Sequence, residues 1–188
     1  MRVVAGEFRG RALLTPADAV IRPTADRVRQ TVFDILVHSY GDPIRGARVL
    51  DLFAGTGALG IEALSRGAAF ALFVEESAEA RGLIRGNVEA FGLTGRTRIF
   101  RRDATNLGPA GTVQPFALAF ADPPYGRGLG ERALASAVAG GWLSPGAVVV
   151  LEEAAAAVIA PIPGFSVAES RHIGDTAVHF LVADAARP

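Results

Sequence analysis

From Ala47 onward, short β-branched or apolar runs alternate with stretches whose apolar positions recur at helical spacing. That is the pattern of a parallel sheet covered by helices on both faces. The runs predict strands at 47–53, 69–75, 97–101, 116–121 and 146–152, with helices at about 57–66, 77–91 and 129–140 between them. The last two runs, 165–171 and 176–183, read as a hairpin around Gly174-Asp175. Upstream, Gly6 and Gly10 punctuate a short segment ending in Ala12-Leu13-Leu14, which predicts a small hairpin carrying Arg9 and Arg11. Arg22 precedes Pro23 and is therefore expected to be extended. Thr24 can then cap a helix in which Val28, Val32, Ile35, Leu36 and Ser39 share helical spacing, ending near Gly41 and Pro43. No repeat, linker or low-complexity tract divides these pieces. The expectation is one doubly wound α/β domain over 1–188, with 1–45 as an N-terminal appendage and 46–188 as the core.

Composition narrows the chemistry. At 188 residues and 50% hydrophobic, the chain suffices for one well-cored domain and is short for two. It contains no run of the length and apolarity of a membrane span and no apolar signal core at its start, so a cytoplasmic location is expected. With no Cys there is no disulfide framework, no thiolate zinc site and no cysteine-ligated cluster, which excludes radical S-adenosylmethionine (SAM) chemistry. The net charge of zero gives no global sign of a nucleic-acid partner, so any basic surface must be local. Residues 1–30 supply one, with Arg2, Arg9, Arg11, Arg22, Arg27 and Arg29 against Glu7, Asp18 and Asp26. Arg96, Arg98, Arg101 and Arg102 form another cluster, read mainly as a solvated strand face. His38, His172 and His179 are dispersed, and no metal is expected. Trp142 is expected to pack below the helix at 129–140.

Two motifs carry the candidate chemistry. The first is Asp51-Leu52-Phe53-Ala54-Gly55-Thr56-Gly57-Ala58-Leu59-Gly60, a glycine-rich turn between a strand and a helix. Glycines there let the backbone turn tightly and let a ligand approach without a Cβ clash. Glu75 ends the next strand, where it can accept both hydroxyl hydrogen bonds of a ribose. These features alone serve NAD as well as SAM. Asp51 favours SAM, because a carboxylate at that strand end repels a pyrophosphate and attracts a sulfonium and an ammonium. Asp103 can reach an adenine amino group, with Ala104 as a backbone donor, or it is an ordinary turn Asp.

The second motif is Asp122-Pro123-Pro124-Tyr125, directly after the apolar strand 116–121. The exocyclic amine of a nucleobase is a poor nucleophile, because its lone pair is delocalised into the ring. Acceptors for both of its N–H groups concentrate that lone pair toward a methyl donor and stabilise the charge developing in transfer. Asp122 can accept one N–H and the Pro123 carbonyl the other. Two prolines fix φ and hold that carbonyl in place, and Tyr125 can stack on the base.

The segments Val3–Leu13, Ile21–Leu36 and Asp51–Ala68 resemble the RsmD family of 16S rRNA guanine-N2 methyltransferases. Val74-Glu75, Asn87, Asp122–Leu129 and Ile173–Val178 fit as well, so the resemblance spans nearly the whole chain. The glycine turn and Asp122–Tyr125 are shared with many amino-methyltransferases, whereas Arg22-Pro23-Thr24 is much more specific. The resemblance implies a Rossmann-like sheet of seven strands with the last antiparallel, and N2 methylation of one guanine in 16S rRNA of the small ribosomal subunit or its late precursor. It places Asp51, Ala54, Gly55, Thr56 and Gly57 along SAM, Glu75 on its ribose, Asp103-Ala104 on its adenine, and Asp122–Tyr125 on the base. Arg22, Thr24 and Arg27 would close over the cofactor cleft, with Arg27 joining Arg9 and Arg11 as contacts to RNA. Glu7 departs from the family, standing where such proteins often carry a basic residue. A monomer without membrane or metal partners is expected. Two other functions use parts of the same pattern: a DNA adenine-N6 or cytosine-N4 methyltransferase, and a non-catalytic RNA-binding assembly factor. A dehydrogenase fits least, for the reason given at Asp51.

Overall fold

The computed structural model describes residues 1–17 and 23–184, and of Pro23, Thr24 and Ala25 the backbone alone. Seven strands form one sheet: β1 (Arg48–Leu52), β2 (Phe70–Val74), β3 (Thr97–Phe100), β4 (Phe116–Ala121), β5 (Leu143–Ala154), β6 (Phe165–Ile173) and β7 (Thr176–Ala183). Their order is β3-β2-β1-β4-β5-β7-β6. β1 through β5 are parallel, and β7 lies between β5 and β6, antiparallel to both. This is the doubly wound sheet that the alternating runs predict, with the seven strands and antiparallel last strand that the resemblance implies. The largest boundary change is in β5, which starts at Leu143. Its pairing with β4 shifts register between Phe116 and Leu118. The shift accommodates Pro145, which has no N–H for the ladder.

Side-chain alternation along the strands makes three layers. Val49, Ala71, Phe73, Leu118 and Phe120 point toward α1 (Pro23–Ser39), α2 (Ala58–Ser65) and α3 (Ala78–Ala90). Leu50, Leu72, Val74, Ala119 and Leu151 point the other way, against α4 (Leu129–Ala139) and the fully buried Trp142. Trp142 packs where expected, its Nε1 donating to Gly108 O at 2.8 Å. α1 begins at Pro23, a residue suited to the first helical position, so Thr24 lies inside the first turn and not at the cap. Arg22 and its extended conformation fall outside the described residues.

One sequence expectation is corrected at the N-terminus. The segment is no appendage: Val3, Phe8 and Leu13 belong to the same buried cluster as α1 and the sheet. It does form the expected small hairpin: Arg2 and Ala12 bridge, and Val3 N donates to Arg11 O at 3.0 Å, Gly10 N to Val3 O at 2.8 Å and Leu13 N to Met1 O at 3.1 Å. Tertiary bonds dock this hairpin on α2. Glu62 on α2, fully buried, accepts from Val4 N at 2.8 Å and Ala5 N at 2.9 Å, and Ser65 Oγ accepts from Phe8 N at 3.0 Å. Gly6 presses so closely on α2 that a Cβ there would lie 1.9 Å from Ser65 O. Arg29 and Arg66 offset the Glu62 charge, at 3.5 and 2.8 Å.

Candidate active site

The carboxyl ends of β1, β2, β4 and β5 open onto one crevice, as in any sheet of this winding. β1 leads into a turn in which Phe53 (φ 57), Gly55 (φ 55) and Gly57 (φ 79) are all left-handed. A Cβ at Gly55 would meet nothing nearer than Phe53 O at 3.9 Å, so that side of the turn is clear for a ligand. Gly60 serves packing, since a Cβ there would come within 2.4 Å of the Phe73 ring. α2 has no side-chain cap from Gly57. Asp51 supplies the missing acceptor, its Oδ2 taking the Gly60 N–H at 2.9 Å. A carboxylate suits a helix N-terminus, yet burial dominates, and Asp51 has its pKa held well above the ordinary carboxylate range, with Asp122 and Glu75 adding to the rise.

Glu75 follows β2 and bridges two loops. Its Oε2 accepts from Gly55 N at 2.9 Å and its Oε1 from Ser77 N at 2.8 Å, which fixes the carboxylate and leaves a further lone pair on each oxygen. Asn87 on α3 is fully buried and holds the glycine turn from behind. Its Nδ2 donates to Thr56 O at 3.0 Å and to Leu14 O at 3.1 Å, while its Oδ1 accepts from Leu14 N at 2.6 Å.

Asp122 to Tyr125 follow β4 and stand at the junction of two cavities. The smaller, about 480 Å³, is lined by Phe53, Glu75, Asp122, Pro123, Pro124 and Tyr125. The larger, about 810 Å³, shares Phe53, Asp122 and Tyr125 and adds Arg29, Asp51, Gly55, Thr56, Glu152 and Thr176 among its walls. Among the described residues nothing hydrogen-bonds the Asp122 carboxylate. Its outer surface is open, but the protein around it strips away water and, with the Glu153 charge, pushes its pKa up to about 6. Glu153 braces the motif, its Oε1 accepting from Gly126 N at 2.9 Å and Ala154 N at 2.7 Å. The Tyr125 hydroxyl lies 3.5 Å from Thr176 Oγ1, and burial pushes its pKa up to about 12.

The structure thus brings Asp51, Ala54, Gly55, Thr56, Glu75 and Asp122–Tyr125 together around the crevice, with Gly57 in the same turn. Asp103 and Ala104 line neither cavity. Asp103 caps a 3-10 turn at Ala104–Asn106 and is exposed. The Thr105 hydroxyl and amide, bonded to it at 2.7 and 2.8 Å, hold its pKa below the ordinary range. Arg9 and Arg27 are exposed. Arg11 is exposed but engaged: it donates to Ala90 O at 2.6 Å and covers the Phe91 ring at 4.2 Å. Arg96 is likewise engaged, donating to Ala68 O at 2.6 Å, whereas Arg98 and Arg101 are exposed. Arg22 lies outside the described residues, as does the Thr24 side chain.

Sequence reasoning missed Glu152, Glu153, Arg29 and Thr176. A signal for the two acids exists, because Glu152-Glu153 closes the apolar run Val148–Leu151 much as Glu75 closes Phe70–Val74. Glu152 is buried, and its pKa is pushed up to about 8 by that burial and by Asp122, against the pull of Arg29.

A family profile described as Conserved hypothetical protein 95 matches residues 1–182. The chain is 40% identical over 154 residues to ribosomal RNA small subunit methyltransferase D of Escherichia coli (strain K12), covering 81% of this chain and 74% of that one. It is 32% identical over 154 residues to the protein of the same name from Haemophilus influenzae, covering 81% and 78%. The solved structure of yhhF from Escherichia coli superimposes with a TM-score of 0.82 at 33% identity, over 98% of each chain.

Proposed function

Because the chain belongs to the Conserved hypothetical protein 95 family, the RsmD family that its motifs resemble, we propose that it methylates N2 of one guanine in small-subunit ribosomal RNA with SAM as donor. The observation that carries the reading is Asp122, a carboxylate with no hydrogen-bond partner among the described residues, at the junction of two cavities and followed by Pro123, Pro124 and Tyr125.

The residues present fit SAM. The clear space over Gly55 admits a ligand close to the backbone, and the acids Asp51, Glu75, Asp122 and Glu152 around the crevice favour a cationic one. Glu75, oriented by Gly55 and Ser77, keeps one lone pair on each oxygen for the two ribose hydroxyls. Asp51, Gly55 and Thr56 would hold the amino-acid end. Bound there, SAM supplies a methyl group activated by its sulfonium.

Asp122 accepts one N2–H of the guanine and the Pro123 carbonyl the other, so the nitrogen lone pair faces the donor. As the new N–C bond forms, positive charge grows on N2, and the Asp122 carboxylate beside it stabilises that charge and takes up the proton released. Tyr125 stacks against the base, with Thr176 steadying its hydroxyl. Glu153 keeps the turn from sagging. The test is incubation with labelled SAM and small ribosomal subunits from cells lacking this protein, followed by nucleoside mass analysis. N2-methylguanosine is expected; N6-methyladenosine, N4-methylcytidine or no product would overturn the reading.

A further inference from the structure

Besides Asp122, Glu152 is the acid of this crevice whose carboxyl holds no other described residue. It is 8% exposed, lines the larger cavity, and accepts no hydrogen bond from any described residue. Its neighbours are committed: Asp51 to Gly60 N, Glu153 to Gly126 N and Ala154 N, Glu62 to Val4 N, Ala5 N and Arg66. A buried carboxyl without partners is costly, and such groups call for an explanation outside ordinary folding.

Its place supplies one. Ala121 pairs with Leu151 in the parallel register of β4 and β5, so Asp122 and Glu152 are the next residues across. Phe120 and Val150, two positions earlier, both point to the α1 side, and the period of two puts Asp122 and Glu152 on that side as well. The two carboxyls therefore stand next to each other, on strands about 4.8 Å apart. Arg29 of α1 and Asp51 of β1 line the same cavity from the facing elements. Along the sheet edge the order runs Glu75, Asp122, Glu152, Thr176. Glu75 lines the smaller cavity, whereas Glu152 and Thr176 line the larger. A base with its amine at Asp122 thus extends toward Glu152, away from the ribose acid.

Two adjacent acceptors match one nucleobase edge. Guanine presents N1–H directly beside its N2 amine, two donors side by side. Adenine carries a lone pair at N1 beside its amine, and cytosine carries one at N3. We infer that Glu152 is the specificity-determining residue of this site, accepting guanine N1–H while Asp122 accepts N2–H, and repelling the ring lone pair of adenine or cytosine. The inference rests on the guanine-N2 reading of the site.

The discriminating probe is 2-aminopurine, which keeps the N2 amine but has a lone pair at N1. Once the methylated guanine is mapped, small subunits are rebuilt by RNA ligation with guanine or 2-aminopurine at that position. Single-turnover methylation is then measured at pH 8.5, where Glu152 is largely ionised. The wild-type protein should prefer guanine by about 10–10²-fold, the range of one base-edge hydrogen-bond pair. Glu152→Gln offers its amide N–H to N1, and Glu152→Ala removes the repulsion, so both should shrink the guanine preference by about tenfold. Comparing ratios cancels the intrinsic difference between the two amines, and calorimetric SAM binding verifies that each variant is folded. An unchanged ratio in both variants, or an equal loss on both substrates, would overturn the inference. Failure of wild-type protein to methylate the unsubstituted subunit would instead sink the guanine-N2 reading itself.

Discussion

At the scale of single residues, binding and chemistry separate between Glu75 and Asp122. The Asp122 carboxylate accepts no hydrogen bond from a described residue and, on the proposed reading, acts on charge that appears during transfer, so Asp122→Ala should leave SAM affinity nearly intact while methyl transfer falls by about 10²-fold or more. Glu75→Ala should do the reverse. It removes the proposed ribose acceptor and frees Gly55 N and Ser77 N, which should weaken SAM binding by at least about tenfold in calorimetry. Normal turnover with poor SAM binding in the Asp122 variant would exchange these roles. Glu152 gives a prediction in pH. Its pKa in the fold is about 8, raised by burial and by Asp122 and Asp51 against Arg29, and Asp122 lies at about 6. In the unfolded chain both ionise near the ordinary carboxylate values. The folded form therefore binds more protons between the two ranges, and stability that is fully present below about pH 4 is lost as pH rises to about 8. Thermal melts of the ligand-free protein should fall across that window. Glu152→Gln should flatten the fall and melt higher than wild type at pH 8.5. A wild-type profile that rises over the same window would show that Glu152 is ionised in the fold.

At the scale of elements, the glycine turn is held less by its own sequence than by what lies beneath it. Gly60→Ala would drive a Cβ to 2.4 Å from Phe73 Cε1 and 3.1 Å from Asp51 Oδ2, so ring and carboxylate must both move. We expect a loss of about 1–3 kcal/mol in urea denaturation, with weaker SAM binding because Asp51 is displaced. Gly82→Ala on α3 is the contrast: a Cβ there meets nothing within 4 Å, and the substitution should stabilise by about 0.5–1 kcal/mol. The difference between these glycines shows what was legible in the sequence. Strand and helix positions follow from local periodicity, and the strands were readable within a few residues. Gly60 and Gly82 differ only through tertiary neighbours, and no local pattern reveals those. The same applies to the N-terminal segment. The hairpin was legible, whereas the bonds from Val4 N, Ala5 N and Phe8 N to Glu62 and Ser65 that dock it on α2 were not. At the site, Glu75 and Asp122 were legible because each follows an apolar strand run, and Asp51 because it opens the glycine-rich turn motif. Glu152 obeys the same rule, and its place beside Asp122 shows only in the parallel register of β4 and β5. Asp103 shows the limit of the rule, since its carboxylate is used by Thr105 at the turn.

At the scale of the whole molecule, the substrate must be recognised by a small protein with no net charge. To reach Asp122 and Tyr125 the target base has to leave its stack, which costs a few kcal/mol and favours a base already unpaired in a loop. Phosphate contacts can recover that cost but carry little sequence information, so specificity has to come from the shape of a folded RNA or particle. The exposed cations at the N-terminal segment are unequal in this. Arg9 makes no side-chain bond to a described residue, whereas Arg11 is spent on Ala90 O and the Phe91 ring. Arg9→Ala should therefore weaken binding to small subunits with a shallower dependence on salt and no change in melting temperature. Arg11→Ala should lower the melting temperature, because the segment that carries Val3 and Phe8 loses one of its ties to α3. Neither substitution should alter SAM affinity. Small subunits or their late precursors should be methylated efficiently, and short single-stranded oligonucleotides containing the target guanine poorly. Filter binding across a salt series, with parallel methylation assays on subunits, oligonucleotide and duplex DNA, checks all of this. Efficient methylation of the duplex or the oligonucleotide would show that recognition does not depend on the folded particle.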